Sequence, residues 1–224
     1  MAMQQQLREQ SDAAQKFVES LRSASHDAEE CANAICKRYA VRHLCAAIEQ
    51  CSPLHRVVEL IDELKDGSCL NIPGPNDETA LHIAARTAQT QVVDLLLQRG
   101  AHPGVTNTAT GETALFSAWA AIAQRADPQP GPRCNGFQCA ASMLRAGCSS
   151  EFINTKSSTG QTVLMKAVFA SHEDFVKLLL CNGADPLMSN NRGNSAVDIA
   201  KFAGATVPVQ RLLAMAVSLA SVAE

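Results

Sequence analysis

The sequence predicts an all-α solenoid, a stack of helix–turn–helix repeats joined by β-turn loops and preceded by an N-terminal helical extension. Three observations carry that expectation. Four segments of the 224 residues share one pattern, and a second element recurs in phase with it. The apolar content, 46% of the chain, is almost entirely aliphatic, with 4% aromatic residues. Seven Phe, one Tyr and one Trp cannot furnish the anchors of one deep core, whereas thin stacked layers are filled by Ala, Leu, Val, Ile and Cys.

Residues 1–69 form the extension. Leu7, Ala14, Phe17, Val18 and Leu21 share one helical face, and Cys31, Ile35, Tyr39, Leu44 and Ile48 share a second, so two or three helices are expected. Asp27 stands three residues before Glu30 and offers a start for the second helix. Leu54 to Gly67 fits the outer helix of a decayed first repeat, because Gly67 precedes Thr79 by 12 residues as Gly183 precedes Ser195. Asp62 and Glu63, standing where Leu178 and Leu179 would align, argue against it. Both readings stay open on the sequence. In either, the extension covers one end of the stack, which terminal units need for solubility.

Residues 70–224 form the stack, divided near 70–104, 105–153, 154–186 and 187–224. The repeated segments begin at Glu78, Glu112, Gln161 and Asn194, each followed by a hydroxyl residue: Thr79, Thr113, Thr162 and Ser195. The hydroxyls are 34, 49 and 33 residues apart, a period near 33 with one insertion in the second unit. Each can accept hydrogen bonds from the free N–H groups that open a short inner helix. Leu95–Leu97 and Leu178–Leu180 give outer helices their apolar stripe, and Gly100 and Gly183, each 21 residues after the Thr, end them at a positive φ. Ser142–Gly147 is the same element displaced by the insertion, Ala123 to Gly136, whose three prolines and two glycines predict a surface loop. The fourth unit lacks the closing Gly and ends in an apolar helix from Val209 to Ala223.

With these residues in place, the chain resembles the ankyrin repeat family, whose unit pairs a β-turn with two antiparallel helices and carries a T-P-L-H-x-A signature. Thr79-Ala-Leu-His-Ile-Ala84 departs from the signature only at Ala80. The second unit departs further, with Phe116 in place of His82 and Trp119 where a small residue is usual. The resemblance covers about residues 70–216. It implies a non-catalytic protein-binding module, an adaptor, scaffold or regulatory subunit, with a concave groove lined by inner helices and turn tips. An architectural subunit docked permanently through its terminal helices is the alternative.

Composition narrows the partners. Nineteen basic and 22 acidic residues split as 8 against 11 in residues 1–70 and 11 against 11 thereafter, so no region carries the cationic excess of a nucleic-acid binder. The longest apolar uncharged run, Leu212 to Ala223, is too short for a membrane span, which needs about twenty residues. The N-terminus reads as neither secretion signal nor transit peptide, so a cytoplasmic or nuclear location is the expectation. Nine cysteines without a C-x-x-C pair fit reduced thiols, most of them within apolar helical patterns. Cys134, Cys139 and Cys148 lie close together, yet no His stands between His102 and His172 to complete a zinc site. No metal or cofactor is expected, and no nucleotide-binding or hydrolase motif appears. The family resemblance gives His82 and His172 structural places in the repeat and the inter-helix turn, so no catalytic residue is proposed.

The groove residues follow from the same resemblance. Turn tips are Asn76 and Glu78, Thr110 and Glu112, Ser158, Thr159 and Gln161, then Asn191, Arg192 and Asn194. Seven residues beyond the hydroxyl stand Arg86, Ala120, Phe169 and Phe202, with Trp119 beside Ala120. Trp119, Phe169 and Phe202 can be inter-repeat core or an apolar strip along the groove. Their shared repeat position favours the strip.

Overall fold

A computed structural model describes residues 26–64, 67–124, 135–146 and 150–220. Eleven α-helices follow in order among them: α1 (His26–Glu49), α2 (Leu54–Glu63), α3 (Ala80–Arg86), α4 (Thr90–Gln98), α5 (Ala114–Gln124), α6 (Asn135–Arg145), α7 (Ser150–Ile153), α8 (Val163–Phe169), α9 (Glu173–Cys181), α10 (Ala196–Phe202) and α11 (Val207–Ala220). The expectations for Leu7 to Leu21, the prolines of the insertion, Gly147, Cys134 and Cys148 fall outside the described residues. Ala123, Gln124, Asn135 and Gly136, assigned to the inserted loop by sequence, are helical, and 125–134 lie outside the described residues.

The helices form two layers. Inner helices α1, α3 and α5 pack side by side, as do α8 and α10, while α2, α4, α6, α9 and α11 lie against them as outer helices. Of the inner helices, α3, α8 and α10 are only seven residues long and are opened by side-chain caps. Thr162 Oγ1 accepts from the Met165 N–H at 3.3 Å, and Ser195 Oγ accepts from the Asp198 N–H at 3.2 Å. Asp198 answers by accepting from the Ser195 N–H at 3.0 Å and from its hydroxyl at 2.6 Å, a reciprocal capping box. In α3 the third residue is His82, whose Nδ1 accepts from the Thr79 N–H at 3.3 Å and bonds the Thr79 hydroxyl at 2.8 Å. Nε2 then donates to the Glu112 carbonyl at 3.1 Å, tying one unit to the next. Phe116 occupies that place in α5 and cannot do this. Thr113 Oγ1 is buried without a hydrogen-bond partner.

Outer helices end as expected where the chain turns back, with φ of 93° at Gly100 and 91° at Gly183. α1 and α2 enter the stack in the same way as the later pairs, α1 against α3 and α2 against α4. Val57, Leu60 and Ile61 supply the buried face of α2, and the acidic Asp62 and Glu63 that disturb its alignment are exposed.

Packing is uneven along the stack. Contacts are dense between α3 and α5 and sparse between α5 and α8. That seam is filled by aromatic rings. Trp119 stacks on Phe175 with centroids 5.3 Å apart, and His172 stands edge-on to Trp119 at 5.8 Å. Phe137 meets Phe175 at 6.1 Å from the outer layer.

The cysteines divide. Cys45, Cys69 and Cys139 are buried, whereas Cys51 and Cys181 are exposed rather than within the apolar packing that the sequence suggested for most of them. Burial, helped by Glu78 and Glu49, pushes the Cys45 thiol up to about 12, so it stays protonated.

Candidate functional site

The candidate face is built by the turn tips and the exposed side of α3, α5, α8 and α10. Each tip folds back as a short hairpin of three or four residues before the inner helix: Asn107 N–H donates to the Glu112 carbonyl, Ser157 N–H to Gln161, and Asn190 N–H to Asn194, all at 2.8 to 2.9 Å. The tips also bond one another. Asn107 Nδ2 donates to the Asn76 carbonyl at 2.8 Å, Ser158 N–H to the Thr110 carbonyl at 2.7 Å, and Asn191 Nδ2 to the Ser158 carbonyl at 3.1 Å. Gly160 allows the close approach, since a Cβ there would meet Asn191 Oδ1 at 2.2 Å. Asn76, Thr110, Ser158 and Asn191 therefore spend main-chain or side-chain groups on joining the tips. Thr159 bonds Ser157 at 2.8 Å and is exposed, as is Arg192, whereas Gln161 and Asn194 are half-buried.

Ion pairs run along the N-terminal half of this face. Arg86 donates to Glu78 at 3.2 Å and to Glu49, at the end of α1, at 3.1 Å. Burial opposes the Arg86 charge, but the two carboxylates outweigh it and raise its pKa further. Glu112 accepts from Lys166 of the next unit at 2.5 Å, and the same ammonium lies 4.9 Å from the centre of the Phe116 ring. Glu49 and Lys166 were not among the residues singled out from sequence. Glu49 could not be placed before the register of α1 was known, and Lys166 stands at a repeat position occupied elsewhere by Ile83, Ser117 and Ile199.

The aromatic strip divides in two. Phe169 is 71% exposed and Phe202 81%, on adjacent inner helices at the same repeat position. Trp119 does not join them and its assignment to the groove is corrected. It is 7% exposed and belongs to the seam. One residue of helix turns a side chain by about 100°. The position six beyond the hydroxyl points into the packing at Ala85, Trp119 and Val168, while its fourth member, Lys201, is exposed at the end of the described stack, and the seventh position faces outward. Only half-buried Ala120 represents the second unit there.

Among the described residues no group of three or more His, Cys, Asp or Glu could hold a metal ion, and no helix is long and apolar enough to cross a membrane.

Comparison with known proteins agrees with this geometry. A family model described as ankyrin repeats in three copies matches residues 13–126, and a single ankyrin repeat model matches 159–191. A putative ankyrin repeat protein, L86, of Acanthamoeba polyphaga mimivirus is 27% identical over 175 residues, 74% of this chain. The chain spans 30% of that relative's length.

Proposed function

The chain belongs to the ankyrin repeat family, whose repeats are protein–protein interaction modules, and from that premise we propose that it acts without catalysis by capturing a protein partner in its concave groove. An adaptor, scaffold or regulatory binding subunit works in this way. The observation that carries the reading is the exposure of Phe169 and Phe202. A solvated Phe forfeits most of the burial energy it could gain, and two such residues in one line form the anchor type that dominates binding energy. The tips joined by hydrogen bonds hold the face rigid, so little ordering entropy is lost on capture.

The test is affinity capture with the whole chain against a Phe169→Ala/Phe202→Ala variant. Loss of each anchor is expected to weaken capture by about 1 kcal/mol or more, while stability changes little. Trp119→Ala is the control: it removes a buried ring at a cost of about 3–5 kcal/mol of stability. Partners retained in full by the double Phe variant would refute the groove reading.

A second reading rests on α11, where Val207, Met215 and Leu219 are exposed. Such a face suits permanent docking into a larger complex. A soluble monomer with no co-purifying subunit would count against it.

A further inference from the structure

The spacing and the charge of the groove restrict what can lie in it. Adjacent packed helices sit about 8–10 Å apart, and α8 and α10 are packed side by side, so the two Phe anchors repeat at that interval along the groove. An α-helix laid along the groove returns a side chain to the same face after seven residues, a rise of about 10.5 Å. An extended segment covers the same distance in three residues, but its third residue points to the opposite face. A helix therefore matches the anchors in both distance and direction, and a strand does not.

Charge selects further. Residues 156–169 and 189–202, the tips and inner helices of the last two units, carry Lys156, Lys166 and Arg192, with Lys201 at the position turned away from Phe202, against Asp198 alone. Asp198 is committed to capping Ser195. The corresponding strips of the preceding units, 76–86 and 107–120 together with Glu49, carry Asp77, Glu78, Glu112 and Glu49 against Arg86. The groove is thus acidic toward its N-terminal end and basic where the Phe anchors stand. Lys166, paired with Glu112, marks the crossover.

We propose that the C-terminal half of the groove takes an amphipathic α-helix of the partner that presents two apolar residues seven positions apart, flanked by carboxylates, to Phe169 and Phe202. The inference rests on the groove reading above and narrows it. The apolar pair covers the exposed rings, and the flanking acids meet Arg192 at the last tip and Lys156 at the tip before it. Cations farther along the same helix suit the acidic half.

Panning a displayed library of random peptides of about 24 residues, some 36 Å as a helix, on the immobilised full chain tests this. Clones are then compared on the Phe169→Ala/Phe202→Ala and Lys156→Glu/Arg192→Glu variants. The expected clones carry an apolar pair at seven-residue spacing with an excess of Asp and Glu beside it, and bind each variant at least tenfold more weakly. Clones that need the Phe pair but show two- or three-residue apolar spacing, or basic flanks, overturn the helix while leaving the groove reading intact. An outcome with no clone dependent on the Phe pair overturns both.

Discussion

The turn between inner and outer helix places one residue in the left-handed region, nine positions beyond the hydroxyl: Ala88 at φ 57°, Ser171 at φ 54° and Gly204 at φ 65°. Only the last is a glycine. An L side chain in that conformation costs roughly 1–2 kcal/mol, and a glycine introduced instead gives back about 0.4–1 kcal/mol through the entropy of the unfolded chain. Ser171→Gly should therefore stabilise by about 0.5–1 kcal/mol, worth some 1–4 °C in melting temperature for a chain of this size. Ala88→Gly relieves the same strain, but the Ala88 methyl is only 5% exposed, and losing it costs about 0.8 kcal/mol, so the net change is near zero. Gly204→Ala is the reverse case. A Cβ there would meet nothing within 4 Å, so its cost is backbone strain alone, and the chain should lose about 0.5–1 kcal/mol. Urea unfolding followed by circular dichroism and by Trp119 fluorescence reads all three. Trp119 is the single tryptophan, and its ring meets His172, the residue after Ser171. A Ser171→Gly variant less stable than the parent, or a Gly204→Ala variant that loses nothing, would refute the reasoning.

Two further outcomes follow from the caps. Thr162→Val breaks the bond to the Met165 N–H and should cost about 1 kcal/mol, whereas Thr113→Val removes an unpartnered buried hydroxyl and should be neutral or stabilising by up to about 1 kcal/mol; equal losses in urea titrations would contradict the orphan. His82 and His172 both use Nδ1 as an acceptor, and burial lowers both below 6.5. Because the unfolded chain then binds more protons, their contribution to stability is complete above pH 6.5 and is lost as pH falls through the lowered folded values. Melting temperatures from pH 8 to 5 should fall on the acid side and fall less in His82→Gln, and a flat profile would contradict the assignment.

The parts of the fold legible in the sequence were those fixed by local chemistry. Thr79, Thr162 and Ser195 open their helices because a hydroxyl can serve the free N–H groups wherever such a helix starts, and Gly100 and Gly183 close theirs because the turn needs a positive φ. What remained hidden depends on rotation and on neighbours. Trp119 differs from Ala120 by one step in sequence but by about 100° around the helix, which separates core from groove. The Glu49–Arg86 pair joins elements 37 residues apart, and no local pattern announces it. Phe169 and Phe202 were picked out by repeat position, while the opposite charge of the two groove halves needed the tips and inner helices to be assembled first.

The sparse contact between α5 and α8 has a kinetic consequence. In a stack stabilised by nearest-neighbour contacts, the weakest interface sets where cooperativity breaks. Amide exchange should divide into two blocks, α1–α6 and α8–α11, opening independently whenever the Trp119–Phe175 stack parts. The anchors Phe169 and Phe202 lie together in the second block, so a ligand held there would slow exchange in α8–α11 and leave the first block opening at its own rate.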